Sequence, residues 1–555
     1  MLPSDHHMHI ADSIDGISRR KFLAGSIAGV TGAAALATVG CGGGNSSSNT
    51  ATATQPQGTN GSPNAQSTAT QQAKQGGTWN QGAGGNIALA TLPFQEAGTL
   101  STGGSAAANP PGLVWGQLVR IADDKLDFIP DHAKEWQLAS DGTSIKFVIR
   151  NDIYFHSGRQ FTTKDIAFGL EQLKNPKWAG GTTYNLNPVA SYNVIDDFTM
   201  EWMLKPNTPT VLPFMSVFRM VDQDTFDQIP KGVLNGTGAF KWTSFDPVRG
   251  ATLQAYDKYH LGRPFLDKIQ VTIFADATAL ATALETGEID DSQLSPEQAV
   301  RFYSNSKFDA VKLPAGSGMT PITCRTDLDP TKDKRVRQAI GFLLDRKHYQ
   351  DLGFLAKDDE LGRLPWPTVS PAYDKALDQP VFDPSRAKTL LKEAGFPNGL
   401  STPIKLDTLP IRAYAPAIAQ LLQQQGKEVG LNFVFEPLEY NSMLDRFYKG
   451  QLDNLWVGFG DASSGLSPAA AIRASSTIGN DVITHASDPT WVAARDAIRN
   501  GASTPDAYKQ FNNAYLDQSL QFPLSRAVPV DFQSKNIHIS RNYLGGTNYY
   551  KVWKG

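Results

Sequence analysis

Residues 131–166 read DHAKEWQLASDGTSIKFVIRNDIYFHSGRQFTTKDI, a stretch that specifies a hairpin, a second turn and a helix start in close succession. Asp141-Gly142 lies between two hydrophobic runs, and this dipeptide favours a tight hairpin turn because glycine adopts positive φ without steric cost. The residues after the turn alternate between apolar and polar, which predicts a strand with one buried face. That face is formed by Ile145, Phe147 and Ile149.

A helix is predicted after the second turn, which lies at Ser157-Gly158. Thr162 and Asp165 have the spacing of a capping box, in which Thr162 caps the helix and Asp165 reaches back to it. Apolar residues then recur on one face, and Pro176 discourages continuation of the helix. The apolar face consists of Ile166, Leu170 and Leu173.

The same stretch resembles the opening motif of the large extracytoplasmic solute-binding proteins of peptide-type ABC importers, family 5. The matching residues are Trp136, Asp141, Gly142, Phe147, Arg150, Phe155, His156, Gly158, Thr162 and Asp165. We expect Arg150 and His156 to hold the turns together, because a histidine in a structured turn is more common than a general base. The motif therefore identifies a scaffold and does not locate a ligand.

Further blocks extend the resemblance over residues 77–555. Residues 236–242, GTGAFKW, match a turn that leads into a strand, and they are not a dinucleotide fingerprint because Lys241 stands at the third glycine position. Residues 256–269 and 283–290 follow as in the family. Residues 333–346 predict a helix that ends near Asp345-Arg346, and the charges at its start suggest a solvated, ion-paired face more than a ligand site.

Two elements of the second half can be predicted from local rules alone. A helix should begin after Asp383 with Pro384 in its first position and end before Gly395. A second helix at about 415–428 should lead into an alternating strand at 431–438.

The resemblance implies an α/β, two-lobed periplasmic-binding-protein fold of type II, the large peptide-binding class. The first lobe would comprise residues 77–318 and the returning segment 523–555, and the second lobe would comprise residues 319–522. The chain would thus cross between the lobes twice, near 312–324 and near 523–532. Two crossings make a hinge, and a ligand that contacts both lobes favours the closed form.

The resemblance also places a ligand site after the strand that begins at Leu455. In peptide-binding members, an aspartate there pairs with the α-ammonium group of the ligand, and Asp461 is the corresponding residue although the spacing is one residue short. The alternative is that Asp461 caps a turn. Trp456 and Phe459 are expected to wall the pocket or else to belong to the core. Arg325, directly after the first crossing, could bind a carboxylate group of the ligand or form an ion pair at the hinge.

The composition excludes several classes of protein. With 51 basic and 54 acidic residues among 555, the net charge is −3, and no basic block outside the N-terminal segment suggests nucleic-acid binding. Only 2 cysteines are present, so we expect no disulfide once Cys41 is modified. No catalytic motif, phosphate loop or metal-type cysteine pair occurs, and we expect no cofactor and no metal.

The N-terminal segment predicts export. Residues 1–41 resemble a twin-arginine signal, with Arg19-Arg20 ahead of an apolar stretch and Cys41 in the position of a lipoprotein acceptor. The alternatives are simple cleavage with release and a retained anchor helix. Residues 42–76 carry Lys74 as their only charge and predict a disordered tether.

The function expected from this resemblance is the substrate-binding component of an ABC importer. It would capture a peptide or similar solute, act as a monomer with permease subunits, and be located outside the cytoplasm on a lipid anchor. The alternatives are a binding protein for an oligosaccharide, an opine or a metal chelate, and a sensor partner. An exported enzyme is the least supported class.

Overall fold

The computed structural model describes residues 73–84, 94, 110–175, 182–246, 248–274, 276–314, 319–408, 414–438, 442, 446–447, 449–457, 467–475, 477–479 and 481–555. The predicted signal, Cys41, most of the tether, Phe459 and Asp461 lie outside these residues. No helix in the described ranges is both long enough and apolar enough to span a bilayer.

A large mixed sheet organises the first lobe. Among the described residues, its strand order is β12-β18-β11-β1-β10-β9-β8, and β1 pairs in parallel with β10 and β11. The strands are β1 (Thr78–Gly84), β8 (Phe240–Asp246), β9 (Gly250–Ala255), β10 (Lys268–Phe274), β11 (Asp291–Gln293), β12 (Phe308–Lys312) and β18 (Val530–Ser534).

An antiparallel sheet carries the hairpin predicted at Asp141-Gly142. Its order is β4-β5-β7-β6 in the described part of the chain, and Gly142 has a φ of +70°. The predicted face of β5 is confirmed, since its three apolar residues are at most 1% exposed. The strands are β4 (Ala133–Leu138), β5 (Ser144–Ile149), β6 (Val189–Val194) and β7 (Thr199–Leu204). Two short pairs are β2 (Val119–Ile121) with β3 (Phe128–Pro130), and β19 (Ile537–His538) with β20 (Trp553–Lys554).

The helix predicted from the capping box is present as α2. The Thr162 N–H donates to the Asp165 carboxylate at 3.0 Å, and the three apolar residues predicted to line its face are buried. The helices of this lobe are α1 (Pro110–Val114), α2 (Thr163–Gln172), α3 (Thr182–Leu186), α4 (Val211–Val217), α5 (Ala277–Thr286) and α6 (Pro296–Ala299), with 3₁₀ turns at Phe226–Lys231 and Tyr549–Lys551.

A smaller sheet organises the second lobe. In the described ranges its order is β15-β14-β16-β13-β17, and β14 pairs in parallel with β15 and β16. The strands are β13 (Met319–Cys324), β14 (Ile404–Thr408), β15 (Phe433–Pro437), β16 (Leu455–Val457) and β17 (Gln521–Arg526). The helices are α7 (Lys334–Phe342), α8 (Arg346–Asp351), α9 (Pro384–Glu393), α10 (Tyr414–Val429), α11 (Pro468–Ala474), α12 (Pro489–Arg499) and α13 (Pro505–Gln518).

The two locally predicted helices of this lobe are confirmed. Asp383 caps α9 by accepting the Arg386 N–H at 2.9 Å, and Gly395 beyond its end has a φ of +95°. The α10 helix runs from Tyr414 to Val429, and the strand expected at 431–438 is shorter, from Phe433 to Pro437.

The helix predicted over 333–346 requires two corrections. Helix α7 ends at Phe342, and Asp345 instead caps the separate helix α8 by accepting the His348 N–H at 3.0 Å. The charge run is also not uniformly solvated. Arg337 is 3% exposed and donates to the carbonyl oxygens of Gln518 and Thr331, because α7 packs that side against the end of α13.

The chain passes between the two sheets twice. Strand β12 belongs to the large sheet and the next strand, β13, belongs to the small one. In the reverse direction, β17 belongs to the small sheet and β18 to the large one, with only residues 527–529 between them. The fold is therefore the two-lobed, type II binding-protein fold that the sequence predicts.

Candidate functional site

The register of the large sheet shows which of its edges faces the crossings. Gln293, the last residue of β11, pairs with Asp531, and Lys312, the last residue of β12, pairs with Val530. Both therefore lie beside the start of β18, where the chain arrives from the second lobe. Because β1 runs parallel to β11, the carboxyl end of β1 lies at this same edge.

The small sheet presents the equivalent edge. Met319 at the start of β13 pairs with Arg526 at the end of β17, so both crossings leave from one edge of this sheet. Ile322 pairs with Val457, the last residue of β16, and Val457 is also in register with Thr408, the last residue of β14. The parallel strands β14 and β16 thus end at the crossing edge.

These registers define a candidate cleft, bounded by the carboxyl ends of β1, β14 and β16 at the two crossings. Ligands of open α/β sheets bind outside the carboxyl ends of the strands. The sheet topology therefore makes this cleft the candidate ligand site, independently of any side chain.

Of the sequence-predicted site residues, Trp456 lies on β16 next to this edge. It is 2% exposed, its ring centroid is 4.7 Å from that of Phe447, and it packs in a cluster with Leu452 and Ile483. Phe459 and Asp461 follow β16 but lie outside the described residues. Their assignment to the ligand site remains a prediction.

The structure does not bring Arg325 to the candidate cleft. It follows β13 at the end away from the crossings, and its N–H donates to the carbonyl of Asn454. Its guanidinium pairs with the Asp327 carboxylate at 2.6 Å and donates to the Leu452 carbonyl at 2.9 Å. Arg325 therefore forms an ion pair, but not the hinge ion pair that the sequence leaves open as an alternative, because it lies at the end of β13 away from the crossings.

A contact between the lobes near the first crossing was not predicted. The Lys312 ammonium at the end of β12 lies 2.5 Å from the Asp358 carboxylate of the second lobe, and the Tyr303 hydroxyl donates to the same carboxylate at 2.5 Å. Burial would raise the pKa of Asp358, but these two partners outweigh it and lower the pKa. Asp358 is therefore ionised at neutral pH and links the first lobe to the second.

The second crossing is anchored by a buried ion pair. Arg526 and Asp378 are 1% and 3% exposed, and their closest N–O distance is 2.7 Å. Arg526 also lies 3.3 Å from the Glu360 carboxylate, and the backbones of these two residues exchange hydrogen bonds of 2.8 and 3.0 Å. The last residue before the crossing is thus fixed to the second lobe.

One carboxylate at the first-lobe edge of the candidate cleft has unused bonding capacity. Asp531, at the start of β18, is 1% exposed, and one of its oxygens accepts from Arg541 and Gln533. The other oxygen, Oδ1, has no hydrogen-bond partner among the described residues. A buried carboxylate oxygen in this position can accept from a ligand N–H. The sequence offered no motif that distinguished Asp531 from other strand residues.

One cluster in the described ranges has metal-ligand residue types, namely Asp131, His132 and His260. The Asp131 carboxylate lies 3.0 Å from His132 Nδ1 and 2.7 Å from His260 Nε2, while His132 Nε2 bonds the Thr237 hydroxyl at 2.8 Å. Burial lowers the pKa of His132, so that ring is neutral at pH 7. These hydrogen bonds account for the cluster as a buried network that joins β4 to the loops beside it.

The turn histidine His156 is also explained structurally. Its Nε2 bonds the Gly238 carbonyl at 2.9 Å, and its backbone N–H donates to the Gly236 carbonyl at 2.8 Å. Burial lowers its pKa to about 4. It joins the two motif turns in the way the sequence predicts.

Comparisons with known proteins agree with this geometry. The chain is 26% identical to heme-binding protein A of Haemophilus influenzae, over 75% of this chain and 82% of that protein. It is 24% identical to di/tripeptide-binding protein 2 of Pseudomonas aeruginosa, over 78% of this chain and 87% of the relative. The solved structure of the periplasmic binding protein DppA from Helicobacter pylori with the peptide STSA has a TM-score of 0.68 at 18% identity, covering 87% of this chain and 98% of that one.

A match to one protein family spans residues 127–480, more than half of the 555-residue chain. This match includes the hairpin motif, the first crossing and the strands β14 and β16 that border the candidate cleft. The protein belongs to the bacterial extracellular solute-binding proteins, family 5.

Proposed function

We propose that this protein is the extracytoplasmic substrate-binding component of an ABC importer and that it captures a peptide in the candidate cleft by closure of its two lobes. The observation that carries the proposal is the strand register, which brings the carboxyl ends of β1, β14 and β16 to the two crossings. A solute held there contacts both lobes, and such a solute stabilises the closed form by its differential affinity. The relative named as a di/tripeptide-binding protein supports a peptide as the solute class.

In this proposal, Asp461 recognises the α-ammonium group of the peptide and Phe459 forms the adjoining wall, while Trp456, which is 2% exposed, supports the end of β16 from its core cluster. In sequence, Asp461 stands four positions after Val457, the residue at which β16 ends beside the candidate cleft. A carboxylate in a desolvated cleft binds a cationic amine through a charge-assisted hydrogen bond. Arg325 is not included, because its guanidinium is already held by Asp327 and the Leu452 carbonyl.

The proposed location and lobe limits follow the same scheme. Residues 1–41 act as a twin-arginine signal, Cys41 carries the lipid, and residues 42–76 form the tether between membrane and binding domain. Residues 77–318 and 527–555 form the first lobe and residues 319–526 the second; the return begins four residues later than expected from the sequence, because β17 stays in the small sheet to Arg526. The protein acts as a monomer that delivers its solute to permease subunits. The sheet change after Lys312 supports the first of these limits, and the sheet change after Arg526 supports the second.

The test is a calorimetric titration of the protein with a panel of free di- and tripeptides and their N-acetylated counterparts. We expect acetylation to abolish binding, and Asp461→Asn to weaken it by about 2–5 kcal/mol, or roughly 30-fold to several thousand-fold. Asp257→Asn is the matched control, because that carboxylate is 77% exposed. Equal affinity of free and acetylated peptides would contradict the proposed role of Asp461.

A second candidate solute is a metal chelate, favoured by the relative named heme-binding protein A. Haemin titration followed by the Soret absorbance separates the two candidates. Saturable haemin binding with no peptide binding would replace the peptide proposal and leave the importer role in place.

A further inference from the structure

A pocket in the second lobe, distinct from the candidate cleft, is lined by three arginines and by no described acidic residue. It has a volume of about 230 Å³ and lies between α7, α9, α13 and the first residues of β17. Arg346, Arg363 and Arg386 line it, and none of the other described residues that line it is acidic. Gln521 and Phe522 border this pocket, at the end of β17 opposite to Arg526, so it is separate from the candidate cleft.

The first of these arginines is buried without an ion pair. Arg346 is 3% exposed, and among the described residues its guanidinium donates only to two backbone carbonyls, those of Pro523 at 2.7 Å and Leu344 at 3.3 Å. Burial, with a contribution from the nearby charge of Arg363, lowers its pKa to about 10. A buried cation without an ion-pair partner is unfavourable, because the hydration it loses is not replaced by a paired anion.

The second arginine adds to this unbalanced charge. The guanidinium of Arg363 makes no hydrogen bond or ion pair with any described residue, and burial lowers its pKa. Asp378, the carboxylate whose negative charge acts on Arg363, is occupied by Arg526 and by the backbone N–H groups of Arg363 and Leu364. Two guanidinium groups therefore line the pocket with N–H donors that no described residue satisfies.

The remaining polar groups of the pocket are already bonded. The Gln521 amide donates to Thr323 and Thr477 and accepts from the Tyr515 hydroxyl, and Ser519 donates to the Leu516 carbonyl. The walls between them are apolar and include Phe342, Leu390 and Phe522. The free donors of the pocket are thus cationic.

We propose that this pocket binds a small oxyanion, a carboxylate or a phosphate group, between the guanidinium groups of Arg346 and Arg363. Arg386 stands at the mouth, where its side chain is 46% exposed and only loosely paired with Glu393 at 3.5 Å. The planar guanidinium fork matches the oxygens of carboxylate and phosphate in a bidentate arrangement. Binding at this pocket is independent of solute capture in the candidate cleft.

The experiment titrates the full-length protein with sodium phosphate, and separately with sodium benzoate, against sodium chloride at equal ionic strength. We expect saturable heat and a raised unfolding midpoint with at least one of the two anions. Phosphate alone would identify a phosphate group as the ligand, and benzoate alone would identify a carboxylate with an apolar body. Absence of saturable binding with both anions would overturn the proposal.

Arg363→Gln is the diagnostic variant and Arg249→Gln its control. Arg249 is exposed on the first lobe, outside the pocket. Both variants remove one positive charge, so they change the net charge equally. We expect Arg363→Gln to weaken anion binding by about tenfold or more, since a hydrogen bond to a charged group is lost. Equal weakening in both variants, or no weakening in Arg363→Gln, would refute the pocket.

A second measurement separates binding from a structural role. In chloride alone, Arg363→Gln should unfold at the same midpoint as the wild type or higher, because Arg346 loses a like-charged neighbour. The increase caused by the anion should disappear in the variant. A lowered midpoint in chloride, with the anion-induced increase retained, would show that Arg363 only supports the fold.

Discussion

Replacing Asp378 by alanine removes the counter-charge of Arg526 at the second crossing. The two side chains are 3% and 1% exposed, with N–O distances of 2.7 and 3.0 Å. The Asp378 carboxylate also accepts the backbone N–H groups of Arg363 and Leu364, so the substitution leaves several buried donors unsatisfied. Breaking a buried pair by removing one partner costs about 3–5 kcal/mol.

The assay is urea unfolding followed by tryptophan fluorescence, with thermal unfolding as a second readout. The entropy of unfolding for a chain of this size is about 1 kcal/mol/K, so the loss corresponds to a decrease of about 3–5 °C in Tm. Asp152→Ala is the matched control. Its Arg150–Asp152 pair has a distance of 2.5 Å but is 33% and 54% exposed, and we expect a loss of at most about 1 kcal/mol.

The double variant Asp378→Leu with Arg526→Met examines the cause of the loss. Replacing both charges by apolar groups of similar size removes the uncompensated cation, and we expect the double variant to be more stable than Asp378→Ala. The reasoning is refuted if Asp378→Ala costs no more than Asp152→Ala, because the crossing would then not depend on this pair.

Three further outcomes are expected. Gly236→Ala should lower stability by about 2–3 kcal/mol in urea unfolding, because its Cβ would lie 2.0 Å from the Val114 carbonyl oxygen; an unchanged midpoint would contradict this packing. His156 stays neutral in the folded protein, where its pKa is lowered to about 4, whereas the unfolded chain takes up a proton near pH 6.5. Stability should therefore fall by about 1–3 kcal/mol as the pH falls from 6.5 to 4, and His156→Gln should reduce this slope; parallel pH curves would count against it. If Cys41 carries a lipid, the wild-type protein should partition with membranes and Cys41→Ser should release it. A soluble wild-type protein with an unmodified N-terminus would show that the signal is cleaved without lipidation.

The parts of the fold that the sequence predicts are those set by neighbouring residues. The turn at Asp141-Gly142, the capping residue Asp165 and the helix after Asp383 each depend on contacts within a few positions. Helix α7 was predicted too long because the apolar pattern continues through Leu343 and Leu344. Asp345 is a strong N-cap, and it begins a new helix there.

The features that the sequence did not predict depend on residues that are far apart in sequence. Arg526 and Asp378 are 148 positions apart in sequence, and the pairing of Lys312 with Asp358 requires the two lobes to meet at the first crossing. From the sequence alone, charged residues of this kind are predicted to lie at the surface. Arg337 illustrates the difference, since the packing of α7 against α13 buries a side chain that its charged neighbours suggested was solvated.

The central claim is that a solute bound at the candidate cleft closes the two lobes about the crossings after Lys312 and Arg526. Small-angle X-ray scattering of the protein, with and without a peptide that binds in the calorimetric panel, tests this claim directly. We predict a smaller radius of gyration in the presence of that peptide and no change with its N-acetylated counterpart. Saturating peptide binding with an unchanged scattering profile would contradict closure of the lobes.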